Sequence, residues 1–498
     1  MQYDVIIIGS GIGGLGTAYF LGKYGLKVLV LEKNRQYGGA LQIFSRDKQI
    51  LDVGVHYVGS LGPKEGLGRY FRAWGIYDSL QFEALSQEGY DRILFSNEEP
   101  ILFAQGFENH AESLMQRFPH DKEGIEKYVE HLKNIPADFP FYNFHYGKVD
   151  PLSNPYLGQN ANSYIHKLVK DPLLRKALFG AGILYDYRAS STSLYTHSII
   201  QSSYVQSAWK FKRGGAQIVK YLVQNCKNLG VEFRNYAQVV KIITNSEGVC
   251  GVELQDGEQI KSRQVVSNIH PALTYKLLDD TGRVRKSYID RISNLENSLS
   301  CFSAQFVMKK ESFPYQNFNS YIHHGNDEYL RSRSVQQLGV FPSLDETDQR
   351  FANIINVMTY MDFSEVQEWA HTFRTEPHYT EGRGKGYEEF KKRKEEEIIK
   401  IIDQYYPNFS TSIEAIYSST ALTLRDYLNT PNGSMYGVIH DSNYPASTVF
   451  SPKTKVPGLY LVGQSLNLHG ILGTSISAAV TSDALIGGDY MKGLMDFE

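Results

Sequence analysis

Apolar and polar positions along the chain switch between two periods, and each switch marks an element. Val5–Ile8 is a continuous apolar run, as a strand buried on both faces requires. It ends in Gly9-Ser10-Gly11-Ile12-Gly13-Gly14. A helix-like segment follows, then a second apolar run, Lys27–Leu31, closing on Glu32. Leu41–Phe44 and Ile50–Val53 read as a strand-like pair. Residues 108–205 read mostly as helices, punctuated by proline-containing loops such as Phe139–Phe144 and Asp150–Pro155. Beyond Lys212 the pattern changes. Arg213-Gly214-Gly215-Ala216 opens a helix carrying Ile218, Leu222 and Val223 on its apolar side. Val231–Phe233, Val239–Ile243, Val249–Leu254 and Gln259–Ile260 alternate like strands, with turns at Ser246-Glu247-Gly248 and Asp256-Gly257. Val265–Asn268 reads as one more short buried strand.

Cys301–Met308, Ser320–His323 and Asn353–Met358 are further strand candidates. Glu388–Tyr406 is expected to be a helix with Phe390, Ile398, Ile399 and Ile402 inward. Its charge run KKRKEEE is then a solvated face. Gly458–Val462 reads as a buried strand running into Gly463, followed by a small-residue helix, Ser475–Ile486. No fixed-period repeat and no low-complexity tract interrupts this order.

The first unit carries chemistry. Strand, glycine turn, helix, strand and acid are the parts of a dinucleotide-binding βαβ unit. Gly9 permits the tight turn, Gly11 lets the backbone approach a pyrophosphate, and Gly14 lets the helix pack closely on the strand. The helix N-terminus offers free N–H groups and a partial positive charge to phosphates. Glu32, 18 residues beyond Gly14, is placed to accept hydrogen bonds from ribose hydroxyls.

Composition narrows the classes without choosing among them. The 498 residues are 42% apolar and 21% charged, with a formal net charge of −3, which gives no basic stripe for nucleic acid. Tyrosine and phenylalanine are abundant, 35 and 26 against 3 tryptophans. They suit the lining of a pocket for a large unsaturated ligand, or reflect no more than an AT-rich genome, a tyrosine-rich surface or aromatic-rich core helices. Cys226, Cys250 and Cys301 lack metal-ligand spacing and leave one unpaired in any disulfide scheme, which fits reduced thiols in a cytoplasmic protein. No signal peptide and no uninterrupted apolar stretch of about 18 residues is present. Peripheral contact with the inner face of a membrane stays open. The His323-His324 pair has no companion ligands, so no metal site is expected, and the sequons at Asn408 and Asn432 matter only on a secretory route.

Gly9–Gly14, Glu32, Gly38-Gly39, Asp52-Val53-Gly54, Arg213-Gly214-Gly215, Val265–Asn268 and Pro457–Gly463 stand in the order of the landmarks of two-dinucleotide-domain flavoproteins. Within that superfamily the chain resembles the phytoene desaturase, carotenoid isomerase and retinol saturase group. Asp52–Gly59, Thr423–Asp441 and Tyr460–Gly473 bring it closer to the retinol saturase branch. The resemblance implies an α/β fold of the glutathione-reductase type. A discontinuous Rossmann-like FAD-binding domain (1–80, 206–285 and 455–498) would carry a second, α+β substrate domain (81–205 and 286–454) with an antiparallel sheet and helices. The implied FAD-binding residues are Gly9, Gly11, Gly13, Gly14, Glu32, Lys33, Gly38, Gly39, Ala40, Val239, Val240, Gly463, Gln464, Gly473 and Thr474. Val239 or Val240 would set its backbone against the adenine, although an ordinary strand valine reads the same way. Gln464 stands where many such proteins place aspartate.

The implied activity is hydride exchange between flavin N5 and a carbon of an isoprenoid polyene, a carotenoid or retinoid. Saturation also needs a proton donor, and His56, Tyr57, Tyr436, His440 and His469 lie in the stretches expected near the ring. A single glycine fingerprint and no CxxC argue against a disulfide reductase with its own nicotinamide domain. An amine-oxidase-like flavoenzyme is an alternative, against which Ala40 counts where those enzymes carry arginine. A non-catalytic lipid-binding protein of the same fold is another.

Overall fold

Two seven-stranded sheets organise the chain, and its N-terminal strand lies in the middle of the first. The structure, a computed structural model, describes residues 2–47, 49–147, 154–279, 282–325, 333–374 and 382–496. β1 (Gln2–Ile8), α1 (Ile12–Tyr24) and β2 (Val28–Leu31) form the expected strand–helix–strand unit. β1 pairs in parallel with β2 on one side and with the strand Gln259–Ser267 on the other. Val5–Ile8 and all of β2 are buried, as a parallel sheet covered on both faces demands.

Gln259–Ser267 is one strand where the sequence suggested two, Gln259–Ile260 and Val265–Asn268, and it does two jobs. Its first half pairs antiparallel with Val249–Leu254, which in turn pairs with Val239–Thr244. Its second half pairs in parallel with Leu459–Leu461, so the last strand of the chain enters the same sheet as the first. α1 packs between the helices Ala216–Asn228 and Gly470–Ile486. A Cβ on Gly16 would lie 3.0 Å from Cβ of Ala478 and 2.6 Å from the Trp74 ring, so only glycine admits this approach.

The second sheet runs Ile413–Ser419, Ser300–Met308, Ala352–Met361, Gln337–Leu344, Asn319–His323, Asp91–Phe95, Ile101–Phe103. It is antiparallel except where Asn319–His323 runs parallel to Asp91–Phe95. Every residue of Ser300–Met308 is buried, which identifies it as a central strand covered on both faces. A three-stranded sheet of Val58–Gly59, Ala208–Phe211 and Phe82–Ala84 lies between the large ones in sequence and joins their segments.

Three further expectations need correction. The C-terminal helix begins at Gly470, not Ser475, because its first turn is built on glycines that read as loop. The charged helix spans Lys385–Ile402 rather than Glu388–Tyr406. Its charge run is not wholly solvated: the Lys394 side chain is buried, with Nζ 2.8 Å from the buried carboxylate of Glu365. The partner sits on a separate segment, Phe363–Trp369, so nothing in the helix's own periodicity announces it. Most of the expected loop at Asp150–Pro155 lies outside the described residues.

A fully buried ion pair fastens the segment before this helix. Asp426, on the helix Ala421–Leu428, lies 2.5 Å from Arg383 and also accepts from Arg374 N and Arg425 Nε, both at 2.9 Å. Removing one member of such a pair leaves the other charge without its partner in a dry site, at a cost of about 3–5 kcal/mol. Arg383→Ala is therefore expected to lower the urea midpoint of unfolding sharply. The double variant Arg383→Met/Asp426→Leu should recover only part of the loss, because Arg425 and Arg374 N then lose the same carboxylate.

Candidate functional site

A cavity of about 620 Å3 opens at the carboxyl ends of β1 and β2, where doubly wound sheets bind ligands. Its nucleotide-side wall is the glycine turn after β1. Gly9 sits at φ +90°, a conformation open to glycine, and its N–H donates to Leu31 O at 2.8 Å. A Cβ on Gly14 would come within 2.4 Å of Gly9 O, so this glycine sets the closeness of helix to strand and does not line the cavity.

The opposite wall comes from the far end of the sequence. Gly463, at φ +117°, turns the chain out of the strand Leu459–Leu461, with its N–H 2.9 Å from Ser477 Oγ. The two turns meet around the side chain of Asn268. A Cβ on Gly13 would lie 2.8 Å from Asn268 Oδ1 and 3.2 Å from Gly463 Cα; one on Gly463 would lie 2.9 Å from Asn268 Oδ1. A Cβ on Gly11 would lie 2.9 Å from Asn268 Nδ2. Neither α1 nor the helix Gly470–Ile486 has a side-chain cap, and the first turns of both face the cavity. Two helix N-termini thus offer backbone N–H groups to one ligand.

Glu32 lines the cavity and already holds the glycine turn. One carboxylate oxygen accepts from Ser10 N at 3.1 Å and Ser10 Oγ at 2.6 Å; the other accepts from Asn34 N at 2.9 Å. A carboxylate has about four acceptor sites, so room remains for a ribose hydroxyl. Lys33 Nζ donates to Asp426 O at 2.7 Å, and burial lowers its pKa. Asp52 Oδ1 accepts from Gly215 N at 3.1 Å, tying the Asp52-Val53-Gly54 loop to the Arg213-Gly214-Gly215 turn. Burial raises the Asp52 carboxyl to about 6. Gly38, Gly39, Ala40, Val239, Val240, Gln464, Gly473 and Thr474 all line the same cavity.

Beyond the glycine turns the lining becomes aromatic and apolar, supplied by the helix Leu194–Gln206 and by strands of the second sheet. Of the proton-donor candidates, His56, Tyr57, Tyr436 and His469 are brought together here, and His440 does not reach the lining. His56 stacks on Phe341 at 4.6 Å. Tyr436 stacks on His469 at 4.2 Å and donates its hydroxyl to Ile183 O at 2.9 Å. His469 Nε2 lies 2.9 Å from Leu184 O. Burial pulls His56, His440 and His469 each down to about 4, with the charge of Lys210 adding to the effect at His56. These imidazoles are uncharged at neutral pH.

Sequence reasoning missed the Asn268 side chain as the meeting point and missed Tyr204, Phe341 and Met358 in the lining. Asn268 stood at the end of a recognised strand, which was the available signal. The other three come from elements whose local patterns report only burial.

Comparison with known proteins agrees with this geometry. Residues 7–74 match the family described as NAD(P)-binding Rossmann-like domain. The chain is 25% identical to all-trans-retinol 13,14-reductase of Rattus norvegicus over 530 residues, covering 97% of this chain and 86% of that protein. It is 25% identical to the chloroplastic prolycopene isomerase of Daucus carota over 491 residues, covering 93% and 76%. Its fold is similar to that of a putrescine oxidase variant from a redesign of cofactor binding, with a TM-score of 0.66 at 15% identity over 98% and 99% of the two chains. Retinol 13,14-reductases and prolycopene isomerases are therefore homologues of this chain over nearly its full length, as the landmarks in its sequence imply.

Behind Tyr57 lies a buried polar cluster. Tyr57 Oη donates to Asp91 Oδ2 at 2.8 Å and lies 2.6 Å from the Tyr321 hydroxyl, while Asn319 Nδ2 donates to Asp91 Oδ1 at 2.8 Å. Burial outweighs these donors and raises the Asp91 carboxyl to about 7. A carboxyl whose pKa is higher folded than unfolded binds more protons in the folded state between the two values. Its contribution to stability is present below about pH 4 and lost as pH rises toward 7. Asp91→Asn removes that dependence. The stability of the variant relative to wild type, from urea titrations at a series of pH values, should improve between pH 4 and 7 at about 1 kcal/mol per pH unit. A difference independent of pH would show Asp91 to be ionised throughout.

Proposed function

We propose that the protein is an FAD-dependent oxidoreductase acting on carbon–carbon bonds of an isoprenoid polyene, a carotenoid or retinoid. The observation that carries this reading is the meeting of two glycine turns, from opposite ends of the chain, at Asn268 on the wall of one cavity. A nucleotide half and an aromatic half then share a single enclosed space. The residues fit the cofactor: side chains are absent where backbone must approach, two helix N-termini are uncapped, and Glu32 retains an acceptor site.

In this assignment the turn Gly9–Gly13 and the start of α1 hold the pyrophosphate, Glu32 the adenosine ribose, and Val239 or Val240 the adenine. Gly38, Gly39 and Ala40 pass beside the cofactor. Gly463, Gln464, Gly473 and Thr474 hold the ribityl and ring end. FAD bound there supplies hydride exchange at flavin N5. The chain's own task is to hold a conjugated substrate, which offers little to hydrogen-bond, against apolar walls and to keep water out. We divide the chain into an FAD-binding part (1–80, 206–285 and 455–498) and a substrate part (81–205 and 286–454), a division that passes through the small three-stranded sheet. Among the described residues no helix is long and apolar enough to cross a membrane. A substrate stored in lipid makes peripheral docking on a membrane part of this proposal.

The test is anaerobic incubation of the purified protein with retinoids and carotenoids, following the flavin spectrum and product masses. A gain or loss of two mass units with a matching change in flavin redox state supports the reading. A colourless protein that binds no flavin overturns it, and bleaching by an amine with no polyene exchange would reassign it as an amine oxidase. Glu32→Ala removes charged acceptors from the turn as well as from the ribose, so FAD binding measured by fluorescence should weaken by about 10- to 100-fold.

A further inference from the structure

Four tyrosines line the cavity: Tyr57, Tyr204, Tyr427 and Tyr436. Tyr57 and Tyr436 spend their hydroxyls inside the protein, on Asp91 and Tyr321 and on Ile183 O respectively. Tyr427 stands at the mouth, 41% exposed. Tyr204 differs from all three. It projects from the buried helix Leu194–Gln206, its ring packs on Tyr57 at 4.5 Å between centroids, and among the described residues its hydroxyl has no hydrogen-bond partner.

Tyr204 is half-buried and borders the cavity, so a hydroxyl without a protein partner there is free to serve a ligand. Tyr204 is also held in its protonated form, because burial and the nearby Asp91 carboxyl both raise its pKa. His56 and Thr430 are the competing free groups: Thr430 Oγ1 also borders the cavity unpartnered, but an aliphatic alcohol is a far weaker acid than a phenol. His56 Nδ1 is buried without a partner, but the ring is uncharged and so is not an imidazolium acid.

Resting on the function proposed above, we propose that Tyr204 is the catalytic residue that hands the proton to the carbon chain during saturation. Reduction of a carbon–carbon double bond places a hydride on one carbon and a proton on its neighbour. The hydride, with its electron pair, would be supplied by FAD in its reduced form, which an external two-electron donor would have to regenerate after each turnover. The π pair moves to the neighbouring carbon and becomes the new C–H bond as the Tyr204 O–H bond breaks. The tyrosinate regains a proton from water when product leaves.

The test is Tyr204→Phe, which keeps the ring on Tyr57 and removes only the hydroxyl. Polyene and flavin binding and the melting temperature should be unchanged, while saturation slows by roughly 100-fold or more, the usual loss on deleting a general acid. An unchanged rate, or loss of polyene binding in parallel with the rate, overturns the proposal. A second readout needs neither cofactor nor turnover. The dissociation constant of a polyene, followed by its absorption on binding to the flavin-free protein, should be the same for wild type and Tyr204→Phe. A clearly weaker constant for the variant makes Tyr204 a binding residue and overturns the proposal. Failure of the wild-type protein to exchange electrons with any polyene instead overturns the proposed function, so the two failures are distinguishable.

Discussion

The crowding of glycine backbone around one amide, that of Asn268, is the constraint on which the site depends. Gly11, Gly13, Gly14 and Gly463 all approach it closely enough that a Cβ on any of them would press on its side chain. Asn268 is held in turn by its N–H to Ile8 O at 2.9 Å, at the end of the strand that pairs with both β1 and Leu459–Leu461. The amide sets the spacing between the N-terminal and C-terminal turns. That spacing sets the width of the cavity between two helix N-termini. The chain between its two ends returns once to the first sheet, at residues 232–267, so the second sheet is assembled from two separate stretches, 91–103 and 300–419.

The division of labour follows from what each sheet can supply. A parallel sheet ends its strands at one edge, so its turns and helix N-termini collect there and present backbone N–H groups and glycine. An antiparallel sheet has no such edge. It offers a broad face of alternating side chains, and here that face and the helix Leu194–Gln206 bring Phe341, Met358 and Tyr204 to the cavity. The polar, phosphate-binding chemistry and the apolar lining therefore come from different halves because the backbones differ.

What the sequence revealed divides along the same line. The Gly9–Gly14 turn and Glu32 were legible because a strand–glycine–helix turn is a local event whose geometry is written in consecutive residues. The strand pattern after Lys212 was legible for the same reason. The start of the last helix was not, since Gly470 and Gly473 look like loop until the close approach of Leu468 O to Gly473 is known. Lys394 looked solvated because Glu365 arrives from elsewhere. The aromatic surplus supported a pocket lining and a plain core, and both hold. Tyr70, Tyr90, Tyr128 and Tyr142 are core, while Tyr57, Tyr204 and Tyr436 line the cavity. Nothing in the local sequence separates the two sets.

The proton economy of the cavity wall completes the argument. Its histidines, His56, His270 and His469, are uncharged, so none is an imidazolium acid at neutral pH. The Asp91 carboxyl sits behind the wall, bonded to Tyr57 and Asn319, and Lys210 donates to Pro342 O at 2.8 Å with its own pKa lowered by burial to about 7. A wall of this kind protects a hydride from water. Proton exchange with carbon then falls to a neutral donor with a strong hold on its proton. A phenol meets that description, because a developing carbanion is far more basic than tyrosinate and takes the proton downhill. The same dryness that guards the hydride thus narrows the acid to a hydroxyl that faces the ligand and answers to no protein partner.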